Sequence, residues 1–84
     1  MKVEISADSL AQYKRIQEPH QSRIRKKMDL LAVHGLHLNA VKALTGEYAG
    51  RYRLRVGQYR VIFRVENDTA MVDSIMHRKD VYEK

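Results

Sequence analysis

Apolar and polar residues alternate from Lys2 to Ser6, with Val3 and Ile5 set against Lys2, Glu4 and Ser6. A period of two over a short run predicts a strand. The pattern then changes. Leu10, Tyr13 and Ile16 recur at three-residue spacing, which predicts a helix with one narrow apolar stripe, opened by Ser6 or Asp8 as its cap. Pro19 ends that helix and suits the first turn of the next. In the second helix Ile24, Met28 and Leu31 stand at i, i+4 and i+7, and Gly35 is its C-terminal stop. Gly35 to Gly50 shows no clear period. It reads as an irregular connection with room for a short strand near Lys42 to Leu44.

Alternation returns at Arg51 and continues almost to the chain end. It predicts strands over Arg51–Val56, Tyr59–Val65 and Thr69–Met76, joined at Gly57-Gln58 and Asn67-Asp68. Both dipeptides suit two-residue hairpin loops, the first as a type II′ turn with glycine leading. The order is strand, helix, helix, then a three-stranded antiparallel meander. That is an α+β class, with both helices expected on one sheet face. No repeat, linker or low-complexity segment interrupts it, so residues 1–84 are read as a single small domain.

A Gly57-Gln58 loop pairs Val56 with Tyr59, Arg55 with Arg60, Arg53 with Ile62 and Arg51 with Arg64. One face then holds Tyr52, Leu54, Val56, Tyr59, Val61, Phe63 and Val65, all able to enter a core. The other holds Arg51, Arg53, Arg55, Arg60, Ile62 and Arg64. A one-residue slip would bury the arginines, so this register is well specified. Continuing through Asn67-Asp68 pairs Val65 with Ala70, Phe63 with Val72, Ile62 with Asp73 and Arg60 with Ile75. Asp73 and His77 then land on the arginine face.

Charge sharpens the picture. The formal net charge is +6, and Arg51 to Val65 holds five arginines with no acidic residue. Like charges opposite each other on a sheet repel, and a bound anion would relieve Arg55 beside Arg60 and Arg51 beside Arg64. A solvated face of arginine stems over apolar surface is the plainer alternative; five arginines on one face favour the anion site. Asp73 reads as positioning an arginine by an ion pair rather than as a base, since neighbouring guanidinium groups hold it ionised. The chain lacks cysteine, which excludes disulfides and thiolate metal sites and suits a reducing cytoplasmic compartment. No secretory leader or membrane-spanning run is visible. His20, His34 and His37 are not at ligand spacing with carboxylates, so no metal or other cofactor is expected.

Near the chain end come His77-Arg78-Lys79-Asp80-Val81-Tyr82. Arg78 and Tyr82 share a side if this stretch makes a helical turn. Tyr82 can stack on a base or move a proton, or simply tuck onto the sheet. Together with Leu44-Thr45-Gly46 and the run Tyr52 to Phe63 (YRLRVGQYRVIF), this tail resembles the RelE/ParE superfamily of toxins from bacterial toxin–antitoxin pairs. The likeness follows element order along the whole chain and is tightest from Lys42 to Tyr82.

The resemblance implies a RelE-like sheet with two helices on one face and a cognate antitoxin partner; no membrane partner is expected, on the lack of a long apolar run. For RelE-type members it implies an mRNA endoribonuclease acting in the ribosomal A site. The family's basic residues and terminal tyrosine map to Arg53, Arg55, Arg60, Arg78 and Tyr82. Arg53 and Arg55 stand where the family pattern can carry lysines. An arginine stays protonated at neutral pH and cannot act as a base.

In such a nuclease Arg60 and Arg78 would clamp the phosphate, while Arg53 and Arg55, joined by Arg51 and Arg64 on the same face, would hold the RNA backbone. His77 is the residue there whose ordinary pKa suits acid–base work, or it merely hydrogen-bonds at a strand end. Two other functions remain open from the sequence: a ParE-type toxin that poisons DNA gyrase, and a non-catalytic RNA- or ribosome-binding module. Fold alone does not choose among them.

Overall fold

The computed structural model describes residues 1–82, with side chains through Asp80. Its elements are β1 (Lys2–Ile5), α1 (Ala7–Arg15), α2 (His20–His34), β2 (Val41–Ala43), β3 (Tyr52–Val56), β4 (Tyr59–Glu66), β5 (Thr69–His77) and α3 (Arg78–Tyr82), with single 3-10 turns at Gly35–His37 and Gly46–Tyr48. The strands form one five-stranded sheet in the order β1-β5-β4-β3-β2. The expected three-stranded meander is therefore its centre, widened by one strand on each side. β2 pairs antiparallel with β3, and β1 runs parallel to β5.

Both long helices lie on one face. Ile24, Met28 and Leu31 of α2 pack with Leu54, Val56, Val61, Phe63, Ala70, Val72 and Ile75 of the sheet. This is the stripe that the i, i+4, i+7 spacing predicts. Gly35, at φ 60°, ends α2 while its N–H donates to the Leu31 carbonyl. Few side chains tolerate that conformation, so glycine is the fitting stop.

α1 departs from its expected stripe. Leu10 is 40% exposed, whereas Ser9 is fully buried. The reason lies at the sheet edge. β1 stops at Ile5, opposite Val72, and beyond it the edge of β5 must be covered by something else. α1 does this with polar groups. Ser9 Oγ donates to the Val72 carbonyl at 3.2 Å, and Gln12 Oε1 accepts from Ile75 N at 2.8 Å. Satisfying those backbone groups outweighs an apolar contact there. Tyr13 and Ile16 do pack against the core. Ser6 is the N-cap, its Oγ accepting from Ser9 N.

Between the helices, the Glu18 carboxylate accepts from Ser22 Oγ at 2.8 Å and from Ser22 N at 2.9 Å. The Ser22 hydroxyl, then its backbone N–H, hold Glu18 below its ordinary value. A lowered folded value favours the charged form. Its contribution is therefore complete above the unfolded carboxylate range and lost as pH falls through the folded value. Ser22→Ala is expected to bring the Glu18 titration back up, read by NMR; an unmoved midpoint would refute this cause.

The β3–β4 register is the expected one, from Tyr52 opposite Phe63 to Val56 opposite Tyr59. The Gly57-Gln58 turn has Gly57 at φ 58°, and in the second turn Asn67 and Asp68 are both at positive φ, as a type I′ loop requires. Between β4 and β5 the pairing holds from Val65–Ala70 to Phe63–Val72 and then slips. Ile62 faces Ser74, Arg60 faces Met76 and Tyr59 faces His77. Asp73 is the extra residue of a β-bulge. The bulge corrects two expectations. Ile75 lies opposite Val61 in the core, not opposite Arg60. His77 shares a face with Tyr59, the helix side, and not with the arginines.

Among the described residues no helix is long and apolar enough to cross a membrane.

Candidate functional site

The sheet face turned away from α1 and α2 carries the arginines, and the structure sorts them into groups. At one end Asp73 holds two of them. Arg51 Nε donates to Asp73 Oδ2 at 3.1 Å and Arg64 Nε to Oδ1 at 3.4 Å. Arg64 Nη1 also pairs with the Glu66 carboxylate. Asp73 thus positions two guanidinium groups, and the bulge is what lets one carboxylate reach both. Arg51 and Arg64 are accordingly neutralised locally and stand apart from the rest.

In the middle of the face, Arg53 Nη1 donates to the Ala40 carbonyl at 2.8 Å. The same carbonyl accepts from Arg55 N at 3.0 Å, so the segment before β2 fixes the direction of the Arg53 side chain. Ile62, opposite Arg53, is buried although it faces away from the helices. Arg55 is exposed.

The other end is the Gly57-Gln58 turn, to which the Arg60 side chain and the Arg78 backbone both bond. Arg60 is only 6% exposed. Its Nη1 donates to the Gly57 and Tyr59 carbonyls, each at 2.9 Å. Arg78 N donates to the Gln58 carbonyl at 2.7 Å, which ties the start of α3 to the same turn. The Arg78 side chain is exposed. Neither Arg53, Arg55 nor Arg78 forms an ion pair among the described residues. The Tyr82 side chain, the expected rim of this corner, lies outside the described residues.

His77 sits beside this corner but with a different task. Its Nδ1 accepts from Lys79 N at 3.3 Å, which caps the first turn of α3. The ring also meets Tyr59 edge-on, centroids 5.5 Å apart.

From the other side His20, at the start of α2, packs on Tyr59 with centroids 5.4 Å apart. Its contact with Tyr59 joins elements distant in sequence, and no local spacing signals it. Among the described residues no cluster of His, Asp or Glu is arranged to hold a metal ion.

The pattern of the family described as ParE toxin of type II toxin-antitoxin system, parDE, matches residues 3–82. The chain belongs to this toxin family. Its membership in the wider RelE/ParE superfamily is equally plain in its relatives. Toxin RelE3 of Methanocaldococcus jannaschii is 33% identical over 67 residues, covering 71% of this chain and 75% of that protein. The toxin subunit fold recurs in the solved RelB-RelE antitoxin-toxin complex from Methanococcus jannaschii, at 26% identity and TM-score 0.76, over 94% of each chain. YafQ from E. coli strain BL21(DE3) shares the fold at 17% identity and TM-score 0.77, over 96% of this chain and 97% of that one. This RelE/ParE protein is the toxin of a toxin–antitoxin pair.

Proposed function

We propose that this toxin is a ribosome-dependent, metal-independent mRNA endoribonuclease that blocks translation, and that its cognate antitoxin holds it inactive. The observation that carries this reading is that the Arg60 side chain and the Arg78 backbone are tied to one two-residue turn, although they come from β4 and α3. A site that stabilises extra charge on phosphorus needs convergent, preorganised cations, and Arg60 is already anchored by two carbonyls. The relatives named above include Toxin RelE3 and a chain of a RelB-RelE complex, which supports the same reading.

RNA cleavage without a metal needs three things. The 2′-hydroxyl must lose a proton, the pentacoordinate phosphorus must be stabilised, and the 5′-oxygen must gain a proton as it leaves. Arg60 and Arg78 supply the second. Arg53 and Arg55 orient the RNA backbone, and Tyr82 stacks on a base or assists proton transfer. His77 is assigned a positioning role, since its capping bond to Lys79 N holds the turn that presents Arg78. Arg51 and Arg64, engaged by Asp73, contribute to the general field rather than to the reacting phosphate. The ribosome compensates for a sparse set of bases by fixing the reacting geometry.

The family match under the name ParE favours one rival, the poisoning of DNA gyrase. One experiment separates them. Purified toxin added to a translating extract is expected to generate new RNA 5′ ends that require active translation. Gyrase-dependent DNA breaks with intact RNA would replace this proposal by the rival, and RNA binding with neither kind of breakage would leave only a non-catalytic binding module.

A further inference from the structure

A second cationic surface lies on α2, apart from the arginine face. Arg23, Lys26, Lys27 and Leu30 fall at i, i+3, i+4 and i+7, and so form one stripe along the helix. With Val56 and Gly57 they line a groove of about 340 Å³. Its floor is apolar, since Leu30 is 40% exposed there and Val56 lies beneath. Its rim is cationic. No carboxylate lines it, and none of the three cations forms an ion pair among the described residues.

The chemistry of an occupant follows from that combination. A phosphate backbone would satisfy the rim and leave Leu30 against water. A nucleobase would need a flat ring to stack on, and no aromatic side chain lines the groove. An acidic polypeptide segment carrying one large apolar side chain satisfies both parts. The apolar group covers Leu30 and Val56, and the carboxylates meet Arg23, Lys26 and Lys27. We infer that this groove docks such a segment of a partner protein.

The location gives the docking a consequence. Gly57 lines the groove and also belongs to the turn that anchors Arg60 and receives Arg78 N. A segment seated on the stripe therefore reaches this turn from the helix side, and by holding it bears on the corner assigned above to RNA. The inference rests on the toxin–antitoxin reading for the identity of the partner, and adds where on this chain it sits.

The test uses the intact toxin and the product of the adjoining reading frame, titrated by calorimetry over a range of salt concentrations. Two variants are compared with wild type: Leu30→Ala, and the charge reversal Lys26→Glu with Lys27→Glu. None of these residues is buried, and thermal unfolding by circular dichroism confirms that each variant folds. Leu30→Ala is expected to weaken binding about tenfold with the salt dependence retained, as loss of an apolar anchor does. The charge reversal is expected to weaken binding and flatten its salt dependence.

Wild-type affinity in both variants, with inhibition by the partner intact, overturns the groove and leaves the toxin–antitoxin reading standing. No binding to wild type overturns both. Unchanged partner binding with lost affinity for a single-stranded RNA oligonucleotide overturns the inference by making the groove an RNA contact.

Discussion

Arg60→Ala is expected to reduce RNA cleavage in a translating extract by roughly 10²–10³-fold, the usual loss when a preorganised donor to a developing negative charge is removed. The side chain is nearly buried and bound to two carbonyls at the Gly57-Gln58 turn. It is therefore fixed in place before any substrate arrives and needs no reorganisation. Truncation removes both hydrogen bonds as well, at a stability cost on the order of 1–3 kcal/mol. Thermal unfolding run beside the cleavage assay separates that cost from the catalytic one. Arg60→Lys keeps the charge but loses the planar fork, and is expected to fall between wild type and alanine. Wild-type growth arrest by a folded Arg60→Ala protein would remove Arg60 from the reaction.

The second large effect concerns the core. Phe63 is fully buried, lies opposite both Tyr52 and Val72, and stacks on the Tyr52 ring with centroids 5.5 Å apart and planes inclined by 22°. Phe63→Ala is expected to destabilise the domain by about 3–5 kcal/mol, through lost transfer energy and a cavity that central strands cannot collapse. A domain of this size typically has only about 5–15 kcal/mol in all. Denaturant unfolding should show the midpoint falling sharply with an unchanged slope. A shift below about 1 kcal/mol would mean that the ring is not the keystone its packing implies.

Much of the sheet was legible because period-two patterning and turn chemistry are local. The pairing of β3 with β4 follows from the Gly57-Gln58 loop and a face on which every residue is apolar, and the structure reproduces it from Val56–Tyr59 to Tyr52–Phe63; Arg51, expected opposite Arg64, lies before the strand. The β4–β5 register follows as far as Phe63 opposite Val72 and then fails at Asp73. Nothing in the local alternation announces that bulge. Its attachments are long-range: Arg51 bonds Asp73 from the start of the hairpin, while Gln12 of α1 bonds Ile75 just beyond.

The same blindness explains α1. Its inward stripe runs from the buried Ser9 through the half-buried Gln12, Tyr13 and Ile16, a regular helical spacing hidden because two members are polar. An apolar-periodicity reading picked Leu10 instead, since it cannot foresee a helix docking on a strand edge through hydrogen bonds. The candidate site was legible in its residue types but not in its grouping. Five arginines on one face suggested one cluster, and a single carboxylate divides them.

The parallel pairing of β1 with β5 orders events during synthesis. β1 finds its neighbour only after Thr69–His77 has emerged, because no earlier element of the described residues offers it a ladder. Contacts that span so much of a chain form late and slowly. The nascent polypeptide therefore carries β1 unmatched until β5 is made. The bond from Arg78 N to the turn that anchors Arg60 also waits until β5 has been made.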